Sequence, residues 1–116
     1  MEPRFDMPDW ETQLRKGLIE LVVMGSLRGR EAYGYQLLEE LNRLPGLELS
    51  ESTVYPVLAR LAREKLLSLR SAPSPAGPPR RYYRLTAEGS RRLGEMATLW
   101  KAVTNSVANV VEGGTS

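Results

Sequence analysis

Near its C-terminal end the chain places apolar side chains at Leu93, Met96, Trp100, Val103, Val107 and Val110. Their spacing of three, four, three, four and three residues limits the possible folds more than any other feature. It predicts a helix whose apolar side is a narrow seam of the coiled-coil kind, not the broad face that covers a globular core. In a single copy that seam would stay in water. Packing against a second copy is the expected remedy, and packing back onto the first helix of the same chain is the alternative. The remaining residues must then build a core of their own, and 116 residues at 41% hydrophobic content suit one compact domain.

Ahead of the seam, hydrophobic periodicity changes several times. Residues 1–10, with Pro3 and Pro8, read as an arm. Leu14, Leu18, Leu21 and Val22, with Gly25, recur at helical spacing and predict a first helix from about Glu11 to Leu27. Gly17 and Gly25 weaken that helix by roughly 1 kcal/mol each relative to alanine, which close packing by another helix would explain and simple tolerance would equally allow. A second helix follows Gly34, with Leu37, Leu38, Leu41 and Leu44 on its inner side, and stops at Pro45-Gly46. After an extended Leu47-Glu48-Leu49, Ser50 is placed to cap a third helix that buries Val54, Val57, Leu58 and Leu61.

Leu67–Arg70 and Arg81–Leu85 each fit a short strand, and the proline-rich stretch between them cannot continue a ladder, so the pair reads as a hairpin with a stiff tip. Tyr82 and Tyr83 alternate along the second strand, so one of them belongs to the core. Thr86 then stands where an N-cap belongs, and Glu88 falls in the first turn of the last helix, where the helix dipole favours a negative charge. The fold class is therefore mainly α with a small β-hairpin (α+β). Its parts are an arm (1–10), a helical and hairpin domain (11–86), a long last helix (87–112) and a tail (113–116).

Cysteine and histidine are both absent, which removes disulfides, thiolate nucleophiles, imidazole bases and the usual nitrogen and sulfur metal ligands. No spacing supplies a nucleophile, a base and an orienting group together, so neither an enzyme nor a metal or cofactor site is expected. The longest apolar run, Leu18 to Met24, is broken by Glu20 and is far short of the roughly 20 residues a membrane span needs. The N-terminus, with Glu2, Asp6, Asp9 and Glu11, has none of the marks of a secretory signal, and a cytoplasmic protein is expected.

Charge is unevenly distributed. From Ser52 to Arg92 there are nine basic residues against two acidic ones, a net +7, while the rest of the chain holds seven basic against twelve acidic residues, a net −5. One stretch is built to meet a polyanion and the remainder is not. It coincides with the third helix, the hairpin and the start of the last helix. Helix, helix, turn, helix, hairpin and long helix is the order of a winged helix-turn-helix. A third helix with small polar groups at its start suits the major groove of double-stranded DNA.

Four segments carry a resemblance to a known family. They are Leu14-Arg15-Lys16-Gly17, Tyr33-Gly34-Tyr35, Leu49 to Leu58 (LSESTVYPVL), and Gly77 to Gly89 (GPPRRYYRLTAEG). Together they resemble the PadR family of bacterial transcription regulators over about residues 13 to 112. The resemblance implies a homodimer with one winged-helix module per chain, repressing transcription until a small molecule or other signal releases it from its operator. The single last helix is similar to the compact branch that includes multidrug-sensing repressors. In that branch a tryptophan on the last helix lines a flat apolar pore at the dimer centre, and Trp100 matches it in position. Two such indoles would form a slot for a planar aromatic ligand, by stacking and cation–π attraction, or would simply pack together.

On this reading Ser52, Thr53 and Arg60 reach base edges, Tyr55, Arg63, Arg80 and Arg81 hold phosphate and set register, and Pro56 is a further contact of the third helix. The expected walls of an effector slot are Trp100, Leu14, Leu18, Leu21, Ala97 and Thr104. The dimer seam is Leu93, Met96, Trp100, Val103, Val107 and Val110. The family often has glycine where this chain has Lys65, and a left-handed lysine there would cost on the order of 1 kcal/mol. Ser52 likewise replaces a frequent glycine. The rival use of such a fold is a protein-interaction module that never touches DNA.

Overall fold

The computed structural model describes residues 6–113. The rest of the arm and tail lie outside the described residues. Helix α1 spans Pro8–Ser26, β1 Glu31–Tyr33, α2 Gly34–Leu41, α3 Glu51–Arg63, β2 Leu67–Ala72, β3 Arg80–Leu85 and α4 Ala87–Glu112. The first helix thus begins inside the stretch read as an arm. Pro8 sits in its first turn, where a missing N–H is no loss, and the Glu11 carboxylate accepts the Met7 N–H at 2.9 Å.

The hairpin is one strand richer than the sequence predicts. The antiparallel sheet has the order β1-β3-β2, with Ala32 opposite Tyr83, Tyr33 opposite Tyr82 and Leu69 opposite Tyr83. Tyr83 is buried and Tyr82 is half-buried on the opposite face of the sheet.

The core uses a different side of α1 from the one whose spacing predicts the helix. Ile19, Val23 and Met24 are its buried residues, joined by Leu27 just past its end, while Leu14 is exposed and Leu18, Leu21 and Val22 are half-buried. Both sets recur at helical spacing, so α1 is apolar on two sides. The first set meets Leu37, Leu38 and Leu41 of α2, Val54, Leu58 and Leu61 of α3, and Leu66, Leu67 and Tyr83 of the sheet region. Leu44 is another correction: α2 ends at Leu41, and Leu44 falls in the following turn, exposed. Among the described residues, and apart from the neighbouring backbone of α1 itself, nothing lies within 4 Å of a Cβ built on Gly17 or Gly25, so packing by another element among them does not explain either glycine.

Two joints fix the third helix. Asn42 clamps the connection to it, accepting the Leu49 N–H at 2.7 Å and donating to the Leu49 carbonyl at 3.0 Å. At its far end Lys65 takes φ +63°, with its N–H on the Ala62 carbonyl (3.0 Å) and the Leu66 N–H on the Leu61 carbonyl (2.9 Å). This is a Schellman ending with lysine in the position glycine usually fills. Thr86 locks the same turn, because its hydroxyl donates to the Lys65 carbonyl at 2.8 Å and caps α4 by accepting the Gly89 N–H at 3.0 Å.

Candidate nucleic-acid interface and dimer seam

An open cleft of about 820 Å³ lies between the outer side of α3 and the hairpin. Its walls include Tyr55, Pro56 and Ala59 of α3, Tyr33 at the end of β1, Gly34 and Tyr35 at the start of α2, and Arg80 and Arg81 of β3. Four of the residues assigned to DNA therefore meet around one space. Pro56 lacks an N–H to give to the preceding turn, but it lies near the start of α3 and faces outward. Tyr55 is half-buried and fits against Gly34, where an added Cβ would collide with its ring. Burial pushes the Tyr55 phenol above its ordinary pKa, with Glu51 adding to the effect, so it remains a neutral hydroxyl able to donate or accept.

Ser52 and Thr53 stand apart from that cleft, exposed at the N-terminal end of α3. Ser50 is the N-cap by position, yet its hydroxyl caps no backbone N–H. It lies 2.9 Å from the Ser52 hydroxyl and 3.0 Å from that of Thr53 instead. A shallow groove joins Ser50 and Thr53 to Arg15 and Lys16 of α1, two cations that the sequence reading quoted for resemblance and did not count in the interface.

Arg60 is held differently from the other arginines of the assigned set. It pairs with Glu20 of α1 and with Glu64 one turn along, each at 3.3 Å, and Glu20 also lies 3.8 Å from Arg92 of α4. Burial works against its charge, but the hydrogen bonds to Glu64 and Glu20 raise its pKa above the ordinary guanidinium value. Glu31 engages Arg70 and Glu88 engages Arg91 in the same way. Within the basic segment, Arg63, Lys65, Arg80, Arg81 and Arg84 are left without a carboxylate partner among the described residues. Internal pairing therefore concentrates the uncompensated charge at the end of α3 and along β3.

On α4 the seam divides. Leu93 is buried in the chain's own core and Met96 packs against it, whereas Trp100 is 40% exposed and Val110 82% exposed, with Val103 and Val107 between. Leu99 and Val111 add to this apolar surface, at 65% and 75% exposed. A second groove, about 360 Å³, runs between α1 and α4 and brings together Leu21, Gly25, Leu93, Gly94 and Ala97. Of the residues assigned to an effector, it unites Leu21 with Ala97. Leu14, Leu18, Trp100 and Thr104 lie outside its lining, and the Thr104 hydroxyl donates to the Trp100 carbonyl of its own helix at 2.8 Å.

None of the described helices is long and apolar enough to cross a membrane. Residues 23–95 match the transcriptional regulator PadR-like family. The chain belongs to that family. The match runs from the buried half of α1 through the sheet to the first turns of α4, so the cleft between α3 and the hairpin lies wholly inside it. A PadR-like transcriptional regulator from Bacillus cereus is similar at 34% identity and a TM-score of 0.77, over 88% of this chain and 99% of that one. A PadR family transcriptional regulator from Eggerthella lenta is similar at 31% identity and a TM-score of 0.78, over 92% and 93%. Bacillus subtilis PadR, solved in complex with operator DNA, shares the fold at 21% identity and a TM-score of 0.62, over 69% of this chain and 47% of that one. The chain is thus a PadR-like transcriptional regulator with the winged-helix architecture of its relatives.

Proposed function

We propose that this regulator binds operator DNA as a homodimer and acts as a repressor. The observation that carries the reading is the meeting of Tyr55, Pro56, Arg80 and Arg81 around one cleft beside the exposed start of α3. In this arrangement α3 enters the major groove with Ser52 and Thr53 leading. Tyr55, Arg63, Arg80 and Arg81 hold phosphates on either side, because a guanidinium fork offers an anion several donors at once. The likeness to a PadR solved on operator DNA supports the same mode of use.

The exposed stretch from Trp100 to Val110 supports dimerisation, since a monomer would leave it in water. Dimerisation through α4 sets two indoles near the two-fold axis, and a planar aromatic molecule bound between them would shift the spacing of the two α3 helices and release the operator.

The test is binding to the duplex upstream of the regulator's own gene across a salt series, comparing the native protein with Arg80→Ala/Arg81→Ala. Sequence-preferring binding that weakens with salt is expected, with the log–log slope reduced by about 1.8 in the double variant if each arginine neutralises one phosphate in a single module, and by twice that in a dimer. Equal, weak binding to all sequences would refute the reading.

A further inference from the structure

We infer that Tyr33, the last residue of β1, is a positioning residue for the wing: its ring is the platform that aims Arg80 at DNA. This rests on the DNA-binding reading above and adds to it a residue that acts by aiming another.

The argument starts from register. In the pairing of β1 with β3 and of β3 with β2, Tyr33, Tyr82 and Arg70 lie side by side on the face of the sheet turned away from Tyr83. The two rings meet edge to face, with centroids 5.6 Å apart and planes at 67°. The Arg70 guanidinium covers Tyr82 at 4.8 Å, and the Arg80 guanidinium covers Tyr33 at 4.5 Å. The result is a ladder of Arg80, Tyr33, Tyr82 and Arg70 that crosses all three strands.

Its two ends differ in one respect. Arg70 is closed off by Glu31, whose carboxylate takes hydrogen bonds from both its Nε, at 3.1 Å, and its terminal nitrogen. Arg80 has no carboxylate partner among the described residues, and it borders the cleft beside Tyr55 and Pro56. A ring face attracts a guanidinium without consuming its N–H donors, so Tyr33 restricts where Arg80 points and leaves its fork available to phosphate. A carboxylate in the same place would have neutralised it. Both the three-residue strand β1 and its tyrosine acquire a purpose on this account. The strand is long enough to bring one ring under Arg80 and ends there.

The test uses the full-length protein and a fluorescent duplex carrying the sequence upstream of its own gene. Four variants are compared by anisotropy: Tyr33→Phe, Tyr33→Leu, Arg80→Ala, and Tyr33→Leu/Arg80→Ala. Phenylalanine keeps the ring face and is expected to bind within about two-fold of the native chain. Leucine is expected to weaken binding roughly two- to five-fold per protomer, the range of an exposed cation–π contact, and by the square of that in a dimer. The double variant should bind no more weakly than Arg80→Ala alone. If Arg80→Ala weakens binding while Tyr33→Leu matches the native chain, or if the two losses multiply, the positioning role is refuted and the DNA contact stands. If Arg80→Ala has no effect, the contact itself is refuted, and the role with it. A readout independent of any leucine variant's folding is the NMR position of the Arg80 δ-protons in the native protein. Stacking on Tyr33 should shift them upfield, and random-coil positions would overturn the proposal.

Discussion

Replacing Lys65 by glycine should make this protein more stable. Lys65 is the only non-glycine among the described residues with positive φ, at +63°, and it cannot relax out of that conformation. Its carbonyl is held by the Thr86 hydroxyl, and the Leu66 N–H beyond it closes the last turn of α3 on the Leu61 carbonyl. A left-handed residue with a Cβ costs about 1–2 kcal/mol. Glycine removes that cost but gives back about 0.4–1 kcal/mol through the greater freedom of the unfolded chain, which leaves a net gain of roughly 0.5–1 kcal/mol. The lysine side chain is exposed and in no ion pair among the described residues, so its loss subtracts little. At about 2.1 cal/mol/K of unfolding entropy per residue, the gain corresponds to a rise of about 2–4 °C in Tm for a chain of this length. The assay is thermal denaturation at matched chain concentration, since the Tm of any chain that self-associates depends on it. Lys65→Ala, which keeps the Cβ, is the control and should melt near the native temperature. A glycine variant that melts at or below the native chain, or an alanine variant that rises equally, would refute the reasoning.

Gly89→Ala should be severely destabilising, by roughly 2–4 kcal/mol or beyond recovery of folded protein, because the added Cβ would overlap the Leu66 backbone carbonyl; an unchanged urea midpoint would contradict this packing. Acid should destabilise the chain where neutral pH does not. Hydrogen bonds from Arg70 and Arg30 hold the Glu31 and Glu40 carboxyls below the ordinary glutamate range. A depressed folded pKa gives stability that is present above the unfolded value, near ~4.3, and is lost as pH falls through the folded one. With no histidine, urea midpoints should be flat from about pH 5.5 to 7 and fall below about pH 4.5, less steeply in Glu40→Gln; a step near pH 6.5 would contradict the assignment. Val103→Glu/Val107→Glu should sediment as a monomer at tens of micromolar while its far-UV CD stays helical, and an unchanged sedimentation coefficient would show that the seam is not the dimer contact.

Much of this fold is written in local chemistry. The proline-rich tip between two short extended stretches, the Thr86 cap and the three-four spacing of α4 each depend on neighbours in sequence, and each stands where the residues place it. Strand β1 was not legible for the opposite reason. Its three residues have no alternation of their own and become a strand only because Arg84, Tyr83 and Tyr82, some fifty positions later in the chain, pair with them. Arg60 follows the same rule. Its spacing on α3 suggests an open guanidinium, but Glu20 lies forty residues away in sequence and one hydrogen bond away in space. In the candidate site, residue type and rough location were legible, while the division of the arginines into paired and unpaired ones needed the tertiary structure.

The two apolar faces of α1 mark a further limit of periodicity. Leu14, Leu18 and Leu21 repeat as well as Ile19, Val23 and Met24 do, and nothing in the spacing tells a face that meets its own chain from one that meets another. Both faces are apolar because α1 stands between the core and the groove it shares with α4. Through Glu20 it holds Arg60 of α3 and lies near Arg92 of α4, so a shift of α4 against α1 would be felt at α3. One carboxylate of α1 thus stands between an arginine of α3 and an arginine of α4, a link that the hydrophobic spacing of none of the three helices announces.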